Sequence, residues 1–284
     1  MADNYLENKM EEYRAGKLAP RRTVVKSSGP KNPFPLSFPP LRVFVTGGAS
    51  GIGQSIVKLF REVDAHVAFC DINKEKGTYV AQRTGARFYP VDVTDEDCLT
   101  SCVLDIFRHW GDIDVVVNNV GIGNFMPIEE MDVASWDKVM NTNVRPAFII
   151  ARLLARHRAD NKESGGTIIN ISSTRYLQSE PDTIAYSASK GAITSLTHSL
   201  MASLAKYGIT SNAIAPGWID VRPDSEKISE PITEAERTMH PSGRIGTPED
   251  IARLTLFLAH PANNFINGAV IPVDGGMTHK MIYD

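Results

Sequence analysis

Tyr186 and Lys190 stand four residues apart in a helix-compatible stretch, which puts a phenol and an ammonium on one helical face. An ordinary tyrosine, with a pKa of about 10, is a poor base at neutral pH. A neighbouring cation favours the phenolate, so this pair is expected to exchange a proton with a substrate oxygen near neutrality. Ser173 lies thirteen residues before Tyr186, just past an apolar run, where its hydroxyl can hold the reacting oxygen. Ser172 competes for that role. Asn143 falls inside a stretch, 133–158, that reads as one long helix, where an amide is a mediocre helix former. Its expected use is to hold a water linking Lys190 to solvent. A second Tyr-x-x-x-Lys match, Tyr5 and Lys9, has none of this company and reads as accidental.

The chemistry needs a ligand site beside it, and a glycine-rich run supplies one. Thr46-Gly47-Gly48-Ala49-Ser50-Gly51-Ile52-Gly53 follows a β-rich segment and opens an amphipathic stretch. Glycines permit a tight turn and a close backbone approach, and the exposed amides at a helix start favour a pyrophosphate. The spacing is Gly-x-x-x-Gly-x-Gly across Gly47, Gly51 and Gly53, with Ser50 and Ile52 between them. Asp71 ends the next β-rich run, 18 residues after Gly53, where a carboxylate can accept from the hydroxyls of an adenosine ribose. The same charge repels a 2′-phosphate, so NAD(H) is favoured over NADP(H), with Lys74 and Lys76 as the counterweight. Asp92 and Val93 are expected near the adenine. Asn118 and Asn119 are placed to bridge strand ends, and Gly121 leaves room for the cofactor.

These residues need a scaffold, and the hydrophobic pattern provides it. Seven β-rich runs, at 42–46, 66–71, 87–91, 113–118, 167–172, 210–215 and 269–273, alternate with helix-compatible stretches. Such alternation calls for a parallel sheet covered on both faces, and right-handed crossovers make it a single doubly wound, Rossmann-type α/β domain. Residues 41–284 are assigned to that domain. Residues 1–40 read as an arm, with six prolines between Leu18 and Pro40. With 30 basic and 33 acidic residues the net charge is −3, which argues against a broad nucleic-acid-binding face. No apolar run is long enough to span a membrane, and no secretory signal is apparent. Three cysteines, Cys70, Cys98 and Cys102, fit a reduced, cytoplasmic setting, and Cys98 and Cys102 read as packing residues rather than a metal pair.

The motifs together resemble the short-chain dehydrogenase/reductase family. Thr46–Gly53, Asn118–Gly121, Asn143, Ser173 and Tyr186–Lys190 occur in that family's order, as do Pro216-Gly217 and Asp274-Gly275-Gly276. The resemblance covers residues 41–276. It implies hydride transfer between a nicotinamide and the carbon of a secondary alcohol or ketone. Tyr186 would be the acid and base, Lys190 would lower its pKa and bind the nicotinamide ribose, Ser173 would orient the substrate oxygen, and Asn143 would maintain the proton relay. Cofactor contacts would extend to Pro216, Gly217 and Ile219, and a lid over 221–244 would set specificity. Arg175, Tyr176 and Trp218 are expected to line the pocket, with Arg175 either binding an anionic substrate group or pairing with Glu180 or Asp182. Two positions depart from the pattern: Val120 replaces an alanine, and Val221 replaces a threonine that often contacts the carboxamide. The resemblance also implies a homotetramer or dimer.

Overall fold

A computed structural model describes residues 37–161, 165–223, 227 and 229–281. Most of the expected arm lies outside the described residues, as do residues 224–226 and 228 of the expected lid. The elements in chain order are β1 (Arg42–Thr46), α1 (Gly51–Glu62), β2 (His66–Asp71), α2 (Lys74–Thr84), β3 (Arg87–Pro90), α3 (Glu96–Trp110) and β4 (Val115–Asn118). There follow α4 (Val133–Asn143), α5 (Arg145–Asn161), β5 (Thr167–Ile171), α6 (Ile184–Leu204), β6 (Thr210–Pro216), α7 (Glu234–Thr238), α8 (Pro248–Ala259) and β7 (Val270–Val273). The strands form one seven-stranded sheet in the order β3-β2-β1-β4-β5-β6-β7, and every pairing is parallel. The order reverses between β1 and β4, which opens a crevice at their carboxyl ends.

Side chains alternate across each strand, so both faces of the sheet must be covered. Phe44, Val116 and Ile168 point into a core with Leu99, Val103 and Ile106 of α3 and Ile149, Ile150 and Leu154 of α5. Val43 and Val45 turn the other way, and Ile56, Val57 and Phe60 of α1 and Ile251 and Leu256 of α8 are buried with them. Helix starts are fixed by side chains: Asn73, Asp95 and Asp132 each accept from a backbone N–H three residues on. Cys102 packs in the core as expected, but Cys98 is exposed beside its cap, Asp95.

The stretch expected as one helix over 133–158 is two. Pro146 has no N–H to offer the Thr142 carbonyl, and its ring crowds that carbonyl. The chain therefore breaks at Val144 (φ −112°, ψ −51°), and Pro146 falls in the first turn of α5, where proline is tolerated. Asn143 becomes the last residue of α4 and is buried at 5% exposure rather than lying within a continuous helix.

Candidate active site

The end of β1 is tied to the end of β4 before any ligand is considered. Thr46 Oγ1 accepts from the backbone N–H groups of Asn119 and Val120, at 3.0 and 3.1 Å. Asn119 Nδ2 donates to the carbonyls of Thr46 and Gly47, both at 3.0 Å. Gly47 sits at φ +69°, a left-handed conformation that glycine adopts without strain. Gly53 has a different reason: a Cβ there would lie 2.0 Å from the Gly47 carbonyl oxygen. Ser50 is the N-cap of α1 in extended conformation, and its side chain makes no cap hydrogen bond. The helix start is thus not closed by its own cap. Asp71 braces the loop from β2, one carboxylate oxygen accepting from Ala49 N–H at 3.0 Å and the other from Asn73 N–H at 2.9 Å.

Across the crevice, Ser173 follows β5 and caps a short 3-10 turn, Thr174–Tyr176, accepting from Arg175 N–H at 3.2 Å. Ser172 lies beside it on the same cavity, and its hydroxyl donates to the Lys190 carbonyl at 3.0 Å. Lys190 is 4% exposed, and its Nζ donates to the Ile171 carbonyl at 2.9 Å and lies 5.5 Å from the Tyr186 ring centre. Asn143 is held on three bonds: Oδ1 accepts from Ile122 N–H at 2.8 Å, while Nδ2 donates to the Ile122 carbonyl at 3.0 Å and to Ser189 Oγ at 2.9 Å. Ser189 Oγ in turn donates to the Tyr186 carbonyl at 2.7 Å. Asn143 therefore joins the loop following β4 to the Tyr186 helix.

A cavity of about 300 Å³ brings these groups together: Ile52, Asn119, Gly121, Ser173, Tyr186, Lys190, Pro216, Gly217 and Ile219 all line it. A second cavity of about 520 Å³ runs on past Ser50 and Gly51 toward Lys58, Lys76, Arg222 and Lys227. Val221 lines both, and a Cβ at Gly51 would come 3.3 Å from its side chain. A Cβ at Gly121 would come 3.2 Å from Lys190 Nζ, so glycine keeps the floor open in front of the ammonium. An open helix start, a braced carboxylate and a cleared floor fit a dinucleotide.

Burial dominates the electrostatics. It brings Lys190 from 10.5 down to about 8. It also raises the Tyr186 phenol above its ordinary value, an effect opposed by a hydrogen bond from Ser173 and the charge of Arg175. The expected net lowering of the phenol by Lys190 is not met, because the penalty for a buried phenolate is the larger effect.

Other expectations divide. Asp92 accepts from Thr94 N–H and Oγ1 in its own turn and lines neither cavity, nor does Val93. Trp218 also stays off the catalytic cavity, with its ring 6.3 Å from that of His240. Arg175 pairs with Glu180 at 2.5 Å. Asn118 does bridge strands, donating to Asn170 Oδ1 at 2.7 Å. Sequence reasoning missed Phe125, whose ring meets that of Tyr186 edge-on at 5.7 Å. Its loop has no periodicity to signal it.

A parallel sheet with a glycine loop at its switch point, facing a Ser-Tyr-Lys set, defines a nucleotide-binding α/β enzyme class. A family profile described as enoyl-(acyl carrier protein) reductase matches residues 47–278. An uncharacterized oxidoreductase of Thermotoga maritima is 40% identical over 84% of this chain and 96% of its own length. The 3-oxoacyl-(acyl-carrier-protein) reductase FabG of the same organism is 34% identical over 82% of this chain and 96% of its own. Among solved structures, ElxO with NADP bound aligns with a TM-score of 0.78 at 32% identity, covering 85% of this chain and all of that one. The chain belongs to the short-chain dehydrogenase/reductase family of oxidoreductases.

Proposed function

We propose that the protein is an NAD(H)-dependent oxidoreductase that interconverts a secondary alcohol and its ketone, with Tyr186 as acid and base. The observation that carries this reading is that Ser173, Tyr186 and Lys190 line one cavity together with Ile52, Gly217 and Ile219. A bound nicotinamide supplies or accepts the hydride. The chain's own residues do the rest. Ser50, Gly51 and Ile52 at the start of α1 receive the pyrophosphate. Asn119, Gly121, Pro216, Gly217 and Ile219 hold the nicotinamide half, and the backbone near Asp92 and Val93 borders the adenine. Ser173 holds the substrate oxygen, while the Tyr186 hydroxyl gives it a proton in reduction and takes one in oxidation. Lys190 holds the nicotinamide ribose, and Asn143 fixes the floor beneath the pair.

Asp71 supports NAD(H). Its two oxygens are held by Ala49 and Asn73, so a negative charge is fixed at the end of β2, where the 2′-phosphate of NADP would approach. The NADP complex of ElxO weighs the other way, and the cofactor measurement decides. Purified protein is titrated with NADH and NADPH by fluorescence, then assayed against secondary alcohols, ketones and an enoyl thioester. Tyr186→Phe is expected to lose on the order of 10²–10⁴-fold in turnover while cofactor affinity holds. Unchanged turnover would exclude the phenol as acid and base. Asp71→Ala is expected to cut the NADH preference roughly tenfold, about 1.4 kcal/mol. A wild type that binds NADPH more tightly contradicts the cofactor assignment.

A further inference from the structure

We infer that Phe125, clamped against Tyr186 with its ring open to solvent, is the residue that selects the substrate, and that the substrate is an uncharged ketone or secondary alcohol with an alkyl or aryl arm. The inference deepens the reading of Tyr186 given above and rests on it. Phe125 lies in the segment between β4 and α4 and is 63% exposed. An exposed apolar residue needs no explanation by itself. One fastened to the reacting phenol does, and three contacts fasten it. Its ring meets that of Tyr186 edge-on, with 5.7 Å between centres and 81° between planes, a favoured arrangement for two aromatic rings. The ring also lies over Gly123, where a Cβ would come within 2.7 Å of it, so the glycine makes room for the aromatic. The next residue, Met126, donates its N–H to the Asp182 carbonyl at 3.0 Å. Asp182 sits at φ +65°, a left-handed conformation uncommon for a residue with a side chain. The Phe125 segment is thus tied to the turn that leads into α6, the helix carrying Tyr186.

The reacting carbon of such a substrate carries two arms. Ser173 and Tyr186 take its oxygen, and the nicotinamide half of the cofactor shares the cavity of about 300 Å³. An arm of any length therefore runs out of the cavity, and on the Tyr186 side it meets Phe125. The cavity itself favours an apolar arm. Ile52, Ile171, Pro216, Ile219 and Val221 line it, and Lys190 is the one charged side chain among the described residues that do. Its ammonium is already bound to the Ile171 carbonyl. The Ser172 hydroxyl is spent on the Lys190 carbonyl, and the Asn119 amide N–H groups are spent on the carbonyls of Thr46 and Gly47. Arg175, two residues after Ser173, is held by Glu180 at 2.5 Å. A carboxylate or phosphate would give up water and meet cations that are already paired, and the hydroxyls of a polyol face the same cost on a smaller scale. An alkyl or aryl arm laid on the Phe125 ring gains by leaving water.

The test is a series of straight-chain methyl ketones from butanone to octanone, with acetophenone as the aryl member and an α-keto acid and a ketose as the charged and polyhydroxy comparisons. In wild type kcat/KM is expected to rise about fourfold for each methylene that reaches the ring, and acetophenone to outrun the keto acid and the ketose. Phe125→Ala, at an exposed side chain, is expected to cut the octanone-to-butanone ratio at least tenfold, with Phe125→Leu between the two. Gly123→Ala keeps the ring but pushes it off its seat, so its ratio should also fall between them. A ratio unchanged in Phe125→Ala, as an equal loss on every ketone would leave it, overturns the proposal, and so does a wild type that prefers the keto acid or the ketose. Binding is read apart from chemistry with straight-chain primary amides, carbonyl compounds that accept no hydride here. They are titrated into wild type and Phe125→Ala, each saturated with whichever reduced cofactor wild type binds more tightly, and cofactor fluorescence gives Kd. A Kd that tightens with chain length in wild type and not in Phe125→Ala supports the proposal, and a Kd indifferent to chain length in wild type overturns it. Turnover that survives Tyr186→Phe refutes the acid-base reading instead, which the amide titration leaves separately visible.

Discussion

Lys190 carries a charge in a place that penalises charge. At 4% exposure its ammonium has exchanged water for one carbonyl, and its pKa falls from 10.5 to about 8. The folded value lies below the unfolded one, so the unfolded chain holds this proton more tightly. Below about pH 8 both states are protonated and the penalty is full, on the order of 3 kcal/mol. From about pH 8 to 10.5 the folded state has released the proton while the unfolded state keeps it, and the penalty disappears. Stability contributed at this site therefore rises with pH through that window. Lys190→Met removes the penalty and also a hydrogen bond worth about 1 kcal/mol. Urea unfolding at pH 7 is expected to show the variant more stable than wild type by about 1–2 kcal/mol, with turnover lost. The advantage should vanish near pH 10, and a variant less stable at pH 7 contradicts the burial argument.

The glycine loop shows why local elements were legible in the sequence and longer paths were not. Tyr186, Lys190, Ser173 and the glycines belong to short motifs whose geometry follows from helix and turn spacing, and each lines or shapes the crevice. β1 and β2 run as read because apolar residues fill their interiors, 43–45 and 67–70. β4 starts later than residue 113, since Asp114 turns back to accept from Arg42 N–H at 2.8 Å and the Ile113 carbonyl is taken by Arg158. The Arg175–Glu180 tie, the closed turn at Asp92 and the place of Phe125 depend on loop paths that no period encodes. The upward shift at Tyr186 depends on burial, which exists only after folding. At this scale Gly53→Ala is the sharpest probe. The new Cβ would strike the Gly47 carbonyl and lie 2.6 Å from Asn119 Nδ2, so the loop must open and Asn119 must release its bonds. Cofactor affinity by fluorescence titration is expected to fall at least tenfold, with a lowered melting temperature. Gly191→Ala on α6 meets nothing within 4 Å and is expected to be neutral or to stabilise by about 0.5–1 kcal/mol.

The whole molecule separates its reactive end from an ionic one. The proposed catalytic groups gather where the strands finish, whereas Arg42, Asp112 and Asp114 sit where β1 and β4 begin, at the far end of the sheet. There Arg158, with 1% of its side chain exposed, bonds to Asp112 and donates to the carbonyls of Ile113 and Gly165, each at 3.1 Å. Arg42 reaches Asp112 at 3.5 Å and Asp114 at 2.7 Å, and His157 approaches Asp112 at 3.6 Å while stacking on Phe107. Burial alone would raise the Asp114 carboxyl, but hydrogen bonds from Arg42 hold it below its ordinary value. Removing one partner of such a cluster leaves an uncompensated buried charge, which costs about 3–5 kcal/mol, whereas replacing both with apolar groups is far milder. Asp112→Asn is therefore expected to lower unfolding free energy by that amount, and Asp112→Leu with Arg158→Leu to recover much of it. Because no residue of this cluster lines either cavity, turnover per folded molecule at low temperature should match wild type in both variants. A loss of turnover without a loss of stability would mean that the two ends of the sheet are coupled, and that the crevice depends on how its strands begin as well as how they end.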